Sequence, residues 1–90
     1  MFKTGLTFIT QGVQELVNDN KLTLLDVFKL VDRHSKEDWA ELNEQDQNQN
    51  HKALINGGRV IGAYTVNEVR LWVITEAGHD LTTVILPSEY

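Results

Sequence analysis

The sequence predicts an α+β domain in which a short N-terminal strand and several helices precede a three-stranded antiparallel β-meander. The final third of the chain is rich in Val, Ile, Thr, Tyr and Trp, with short polar or glycine-containing breaks between the runs. The part before it has apolar residues at helical spacing behind residues that cap helix N-termini well. At 90 residues, the chain is long enough for a single domain with one modest core.

The N-terminal third predicts one strand and two helices. Residues Lys3–Ile9 favour a strand, and Thr10 is suited to cap a short helix over Gln11–Asn18. Thr23, followed three places on by Asp26, has the capping-box pattern that begins a second helix. We expect the apolar stripe of this second helix to lie across the sheet. The stripe consists of Leu24, Val27, Phe28 and Val31, widened by Leu25 and Leu30.

The middle of the chain predicts two more helical segments. Ser35, with Asp38 three residues later, indicates a helical turn over Lys36–Leu42. Asn43 is suited to cap a longer helix that ends near Ile55, where glycines follow as a terminator. Most of that helix is polar, and we expect it to touch the core only through Ala53, Leu54 and Ile55.

Three strands are predicted over Arg59–Val66, Val69–Thr75 and Leu81–Leu86. A two-residue turn at Asn67-Glu68 and a second turn centred on Gly78-His79 set the pairing of these strands. One face then carries Val60, Tyr64, Val66, Val69, Leu71, Val73, Val84 and Leu86. The other carries Ile61, Ala63, Trp72, Ile74, Leu81 and Ile85, edged by Arg59, Arg70 and Glu76.

Both predicted faces are apolar, whereas an antiparallel sheet with one solvated face alternates apolar and polar residues. The helices cover one face, so the second must meet the N-terminal segment, a second copy of the chain as a homodimer, or a protein partner. The C-terminal tail Pro87–Tyr90 is also placed to lie over it. We expect the partner-binding residues to be Trp72, Ile74, Ile61 and Ile85, with Arg59 and Arg70 at the rim.

Composition disfavours several classes of function. Without cysteine the chain has no disulfide, thiolate nucleophile or zinc–cysteine site, and its three histidines show no metal-ligand spacing, so we expect no metal and no cofactor. A net charge of −5 disfavours nucleic acid as a partner and suits a basic protein surface better. No apolar run is long enough for a bilayer and no signal peptide is evident, which predicts a cytoplasmic protein.

A metal-free ribonuclease of the small-toxin kind is the alternative enzymatic hypothesis. It would use Arg59, Arg70, Glu76 and His79 as the cations, acid and base of RNA cleavage, with Tyr64 nearby on the sheet. The acidic charge argues against an RNA-binding platform. Cross-strand charge pairing at the sheet edge also accounts for the two arginines and the glutamate.

Three C-terminal runs, Gly58–Tyr64, Trp72–Ala77 and Thr82–Tyr90, resemble small plasmid-related proteins found on plasmids and integrative elements of Gram-negative bacteria. The resemblance extends upstream through His34, Asp38-Trp39, Leu42, Asp46, Asn50 and Ala53-Leu54. Relatives often carry Asp-Arg-Ser where this chain has Gly78-His79-Asp80. The resemblance implies a context, a mobile genetic element in a bacterial cytoplasm, and no particular activity.

Together these observations predict a non-enzymatic accessory protein of a mobile element that binds another protein. A host-defence or regulatory component is the expected target. The small ribonuclease-type toxin and a homodimeric structural module are the two alternatives.

Overall fold

The computed structural model describes every residue from Met1 to Tyr90 and confirms the α+β class. Its elements, in chain order, are β1 (Leu6–Ile9), α1 (Gln11–Asn18), α2 (Leu24–Ser35), α3 (Glu44–Asn56), β2 (Val60–Val66), β3 (Val69–Thr75), β4 (Leu81–Ile85) and a single 3₁₀ turn (Pro87–Glu89). None of its helices combines the length and the apolar character needed to cross a lipid bilayer.

The four strands form one mixed sheet in the order β1-β4-β3-β2. Strands β2, β3 and β4 are the predicted antiparallel meander, but the sheet is not three-stranded, because β1 joins β4 in parallel. The amide of Leu6 donates to the carbonyl of Asp80 at 3.1 Å, and the amide of Thr10 donates to Val84 at 3.2 Å. The N-terminal segment therefore extends the sheet at its edge and does not cover the face that carries Trp72.

The predicted register of the meander is confirmed. Asn67 and Glu68 both have left-handed φ angles, 50° and 67°, as a two-residue hairpin turn of the primed type requires. This turn places Ala63 opposite Trp72, and the next turn places Trp72 opposite Ile85. The apolar residues of β2–β4 thus divide between the two faces as predicted.

Helix starts are also confirmed: the side chains of Thr10, Thr23 and Asn43 each cap a helix. The predicted helix over Lys36–Leu42 is wrong, because this segment forms turns. Glu37 adopts a left-handed φ of 62°, which ends the helical path. The carboxylate of Asp38 then reaches back 2.7 Å to Arg33 and caps no new helix.

The core lies between α1, α2 and the face of the sheet that includes Tyr64, Leu71, Val73 and Val84, all of them fully buried. The predicted stripe on α2 is only partly right. Its inner residues Val27 and Leu30 are buried, but Leu24, Leu25 and Phe28 are 49 %, 60 % and 59 % exposed. Helix α3 lies beside β2 and supplies Ala53 to the core.

The opposite side of the sheet, here called the second face, is incompletely covered. The register places eleven residues on it: Leu6, Phe8, Leu81, Thr83, Ile85, Trp72, Ile74, Arg70, Ile61, Ala63 and Thr65. Leu6 is 70 % exposed, Phe8 53 % and Leu81 37 %, whereas Ala63 and Ile74 are buried. The second face is therefore closed towards β2 and open towards β1.

Candidate functional site

A groove of about 620 Å³ runs between α3 and the second face of β2 and β3. Ile61, Ala63 and Trp72 form its apolar floor, and the polar side of α3, including Asp46 and Gln49, forms one wall. Its volume lies within the range of about 300–1,000 Å³ that is usual for ligand pockets. The groove is thus the main concave surface of this small domain.

Two side chains seal the free edge of β2 along this groove. Asn50 accepts from the amide of Ile61 at 3.1 Å and donates to the carbonyl of the same residue at 2.8 Å. The carboxylate of Glu41 accepts from the amide of Thr65 at 3.0 Å and from its hydroxyl at 2.9 Å. These side chains take the places that a neighbouring strand would otherwise occupy.

Between these two seals lies one unpaired backbone unit. Because alternate residues of a strand direct their amide and carbonyl to the same side, those of Ala63 point outward like those of Ile61 and Thr65. No side chain or backbone group outside the sheet bonds to them. Ala63 lines the groove but is only 5 % exposed, so its unpaired donor and acceptor are largely enclosed beside the apolar floor.

Both arginines at the rim are paired with carboxylates. Arg59 lies 3.0 Å from Glu76, and Arg70 lies 2.5 Å from Glu41. Partial burial acts to raise the pKa of Glu41, but the hydrogen bonds from Thr65 and the charge of Arg70 outweigh it, so the pKa is lowered and the carboxylate stays ionised. The carboxylate of Asp46 forms no ion pair, which makes the unbalanced charge of the groove negative.

The C-terminal tail closes one end of the groove. The ring of Tyr90 packs edge-on against Trp72 with the ring centres 5.2 Å apart, and its hydroxyl accepts from Arg59 at 2.6 Å. Glu89 holds this tail in place, since its carboxylate accepts from the hydroxyl of Thr10 at 2.6 Å and from the amide of Gly12 at 3.1 Å. The tail therefore lies over the patch around Trp72.

The predicted partner-binding residues are divided by the fold. Trp72, Ile61, Arg59 and Arg70 all line the groove, as a contact surface would require. Ile74, at 3 % exposure, supports the sheet from within and presents almost no surface. Ile85 is half-buried and lies beyond Trp72, towards the open part of the second face.

The residues of the ribonuclease hypothesis do not form one cluster. Arg59 contacts Glu76, and His79 lies nearby with its Nε2 atom 2.8 Å from the carbonyl of Gly58. Arg70 is six residues from Glu76 along β3, which separates them by about 20 Å. Tyr64 is fully buried in the core on the other face.

No three His, Cys, Asp or Glu side chains are grouped so that they could hold a metal ion. The sequence assigned Asn50 and Asp46 no role in a site, because most of α3 is polar, and it predicted that Ile55 reaches the core. In the structure Asn50 is 5 % exposed and Ile55 is 89 % exposed. The available signal was the spacing of Asn50, three residues before the core residue Ala53 on the same side of the helix.

Comparisons with protein-family models, curated proteins and solved structures give no match for this chain. The resemblance to plasmid-related proteins therefore stays a prediction from the sequence.

Proposed function

We propose that this chain works without catalysis, by binding a segment of another protein in the groove between α3 and the second face. The observation that carries the proposal is the floor of the groove. There Trp72 and Ile61 are only half-buried and form an apolar surface that a partner can reach. An apolar anchor of the partner would cover this floor, the arrangement of an interface hot spot.

The charge of the groove selects the kind of segment that binds. Arg59 and Arg70 are neutralised by Glu76 and Glu41, while Asp46 is unpaired. The whole chain carries a net charge of −5. The preferred occupant is therefore a basic segment with one aromatic or large aliphatic anchor, since complementary charge speeds association and excludes acidic competitors.

The biological setting comes from the sequence resemblance. On that basis we place the protein on a bacterial mobile element, in the cytoplasm, where it acts as an accessory factor. The partner would be a host-defence or regulatory component that is inhibited or regulated by the contact.

Selection of peptides from a random displayed library against the purified wild-type chain tests this proposal. We expect enriched peptides to combine an aromatic or large aliphatic residue with Lys or Arg. Trp72→Ala should weaken their binding at least about 30-fold, the loss typical of a hot spot. Phe28→Ala, at an equally apolar but distant position on α2, is the matched control and should leave affinity unchanged.

Asp46→Arg provides a second test that does not depend on changing the apolar floor. Asp46 is exposed and its carboxylate bonds to no other side chain, so the substitution should leave folding intact while reversing the unpaired charge. We expect loss of the basic peptides. Two results would overturn the proposal. One is that the wild type enriches acidic peptides, and the other is that Trp72→Ala and Asp46→Arg bind the selected peptides as tightly as the wild type does.

A further inference from the structure

The sheet has a second free edge, on β1, and this edge is bare. Leu6 and Thr10 donate their amides towards β4, so the intervening odd residues Thr7 and Ile9 direct their amides and carbonyls away from the sheet. No group of the chain bonds to these outward backbone atoms. A strand edge of this kind is a template for another strand.

The contrast with the opposite edge is informative. Edge β2 is sealed by Asn50 and Glu41, whereas β1 has no comparable side chain, no proline and no inward-pointing charge. Instead Leu6 and Phe8 present apolar side chains that are 70 % and 53 % exposed. Proteins usually protect an edge that must remain unpaired.

We propose that β1 pairs with β1 of a second copy of this chain, joining two four-stranded sheets into one across a two-fold axis. Charge identifies the second copy as the occupant. The chain carries a net charge of −5, yet residues 4 to 14 contain no charged side chain, and Lys3 is already paired with Asp80 at 2.6 Å. Pairing two copies therefore brings no like charges together at this edge, and the edge offers a basic foreign partner no acidic side chain.

The outward backbone atoms also define the register of the pair. If Phe8 faces Phe8 of the second copy, Thr7 of each copy lies opposite Ile9 of the other, and all the outward amides and carbonyls are paired. A register centred on Thr7 would require Gly5, whose φ of 66° takes it out of the strand. The structure therefore favours the axis at Phe8.

In this register the two Phe8 side chains form a pair without intervening hydrogen bonds, the closer of the two antiparallel pair types. Leu6 and Leu81 flank them on the second face of each copy. The dimer would thus join the two second faces into one continuous surface centred on the Phe8 pair. It leaves the groove beside α3, at the other edge of the sheet, free.

The absence of cysteine allows a direct test by single-cysteine variants. Across the proposed axis the two Cα atoms of residue 8 would be about 4.5 Å apart, within the range of about 4.4–6.8 Å that a disulfide requires. We expect Phe8→Cys to form a disulfide-linked dimer under mild oxidation at least tenfold faster than Phe28→Cys, its similarly exposed control. Equal rates would overturn the proposal.

The wild-type chain provides a test without substitution. Light scattering should show the molar mass rising from 10.3 kDa towards twice that value with concentration. Amide exchange at Thr7 and Ile9 should slow at least tenfold over the same range. Phe8→Lys, which sets two like charges opposite each other, should restore the monomer, and Phe28→Lys should not.

A wild type that stays monomeric up to millimolar concentration would overturn the proposal. So would a dimer in which Thr7 and Ile9 still exchange freely. Because neither result involves the groove, the outcome is independent of the peptide-binding proposal.

Discussion

The indole Nε1 of Trp39 donates a hydrogen bond to the Nδ1 atom of His34 over 3.1 Å, and this contact fixes the state of a buried histidine. With Nδ1 accepting, the ring proton of the neutral imidazole lies on Nε2, which donates to the hydroxyl of Thr75 at 3.2 Å. Thr82 donates to the carbonyl of Thr4 at 2.6 Å, so Thr75 must donate to Thr82. The oriented chain of bonds ties α2 to two strands and the N-terminal segment.

This arrangement predicts that acid destabilises the fold through His34. Burial, with a smaller effect from His79, lowers the pKa of His34 from 6.5 to about 4. Between pH 6.5 and about pH 4, His34 is therefore protonated in the unfolded chain and neutral in the folded chain. The stability that depends on neutral His34 is fully present above pH 6.5. The free energy of unfolding then falls by about 3 kcal/mol as the pH approaches 4. Urea denaturation at a series of pH values measures this loss.

His34→Gln is the control for the pH dependence, since its amide can still accept and donate but does not titrate. We expect it to be less stable than the wild type at pH 7 and nearly independent of pH between 6.5 and 5. Equal slopes for the two proteins in that interval would assign the acid sensitivity to other groups.

A second prediction concerns the seal on β2. Asn50→Ala removes both hydrogen bonds to Ile61 and leaves a partly buried amide and carbonyl unpaired, so we expect a loss of about 2 kcal/mol of unfolding free energy. Asn48→Ala, at an exposed position on the same helix, should change stability by less than about 0.5 kcal/mol. Denaturation curves measure both.

Because the substitution exposes the edge of β2, Asn50→Ala should also associate with other copies of itself. Its light-scattering mass at high concentration should exceed that of Asn48→Ala, because an unsealed edge pairs with other strands. Similar stability in the two variants would mean that α3, rather than the Asn50 amide, protects β2.

Much of the fold was predictable because it is set locally. The side chains of Thr23 and Asp26 each accept a hydrogen bond from the backbone amide of the other residue, within one helical turn. The short turn at Asn67 fixes the register of β2 and β3 without help from distant residues. The parallel addition of β1 was not predictable, since it depends on backbone bonds between Leu6 and Asp80, far apart in the sequence.

The part of the candidate site on the strands was also predictable from local sequence, whereas the part on α3 was not. The alternation of β2 and β3 placed Trp72 and Ile61 on one face, and both line the groove. The wall was missed because a helix with few apolar residues gives a weak periodic signal. Only the tertiary structure shows that Asn50 turns towards the backbone of Ile61.

A third prediction follows from the hydroxyl of Tyr64, the one buried side-chain polar atom without a hydrogen-bond partner. Burial raises the pKa of this hydroxyl, and the guanidinium of Arg33 lies over the ring at 4.8 Å from its centre. Tyr64→Phe removes the unsatisfied group and keeps the ring, so stability should be unchanged or higher by up to about 1 kcal/mol. A loss greater than 1 kcal/mol in urea denaturation would indicate a bound water on the hydroxyl.

The last prediction tests whether Glu89 keeps the tail over the groove. Its carboxylate accepts from the hydroxyl of Thr10, which is the main reason that its pKa is lowered, and from the amides of Leu86 and Gly12. Glu89→Ala should release Tyr90 from Trp72 and expose the indole. Since Trp39 is only 2 % exposed, any rise in acrylamide quenching of tryptophan fluorescence reports on Trp72.

Ser88→Ala is the matched control, because the exposed Ser88 hydroxyl forms no hydrogen bond, and its quenching should equal that of the wild type. Acid should reproduce the effect of Glu89→Ala in the wild type. The carboxylate, with its pKa held below the usual 4.5, accepts these bonds at neutral pH and loses them as it is protonated below that value. Unchanged quenching in Glu89→Ala would mean that the contacts of Tyr90 with Trp72 and Arg59 hold the tail on their own, and the groove would then remain closed at that end.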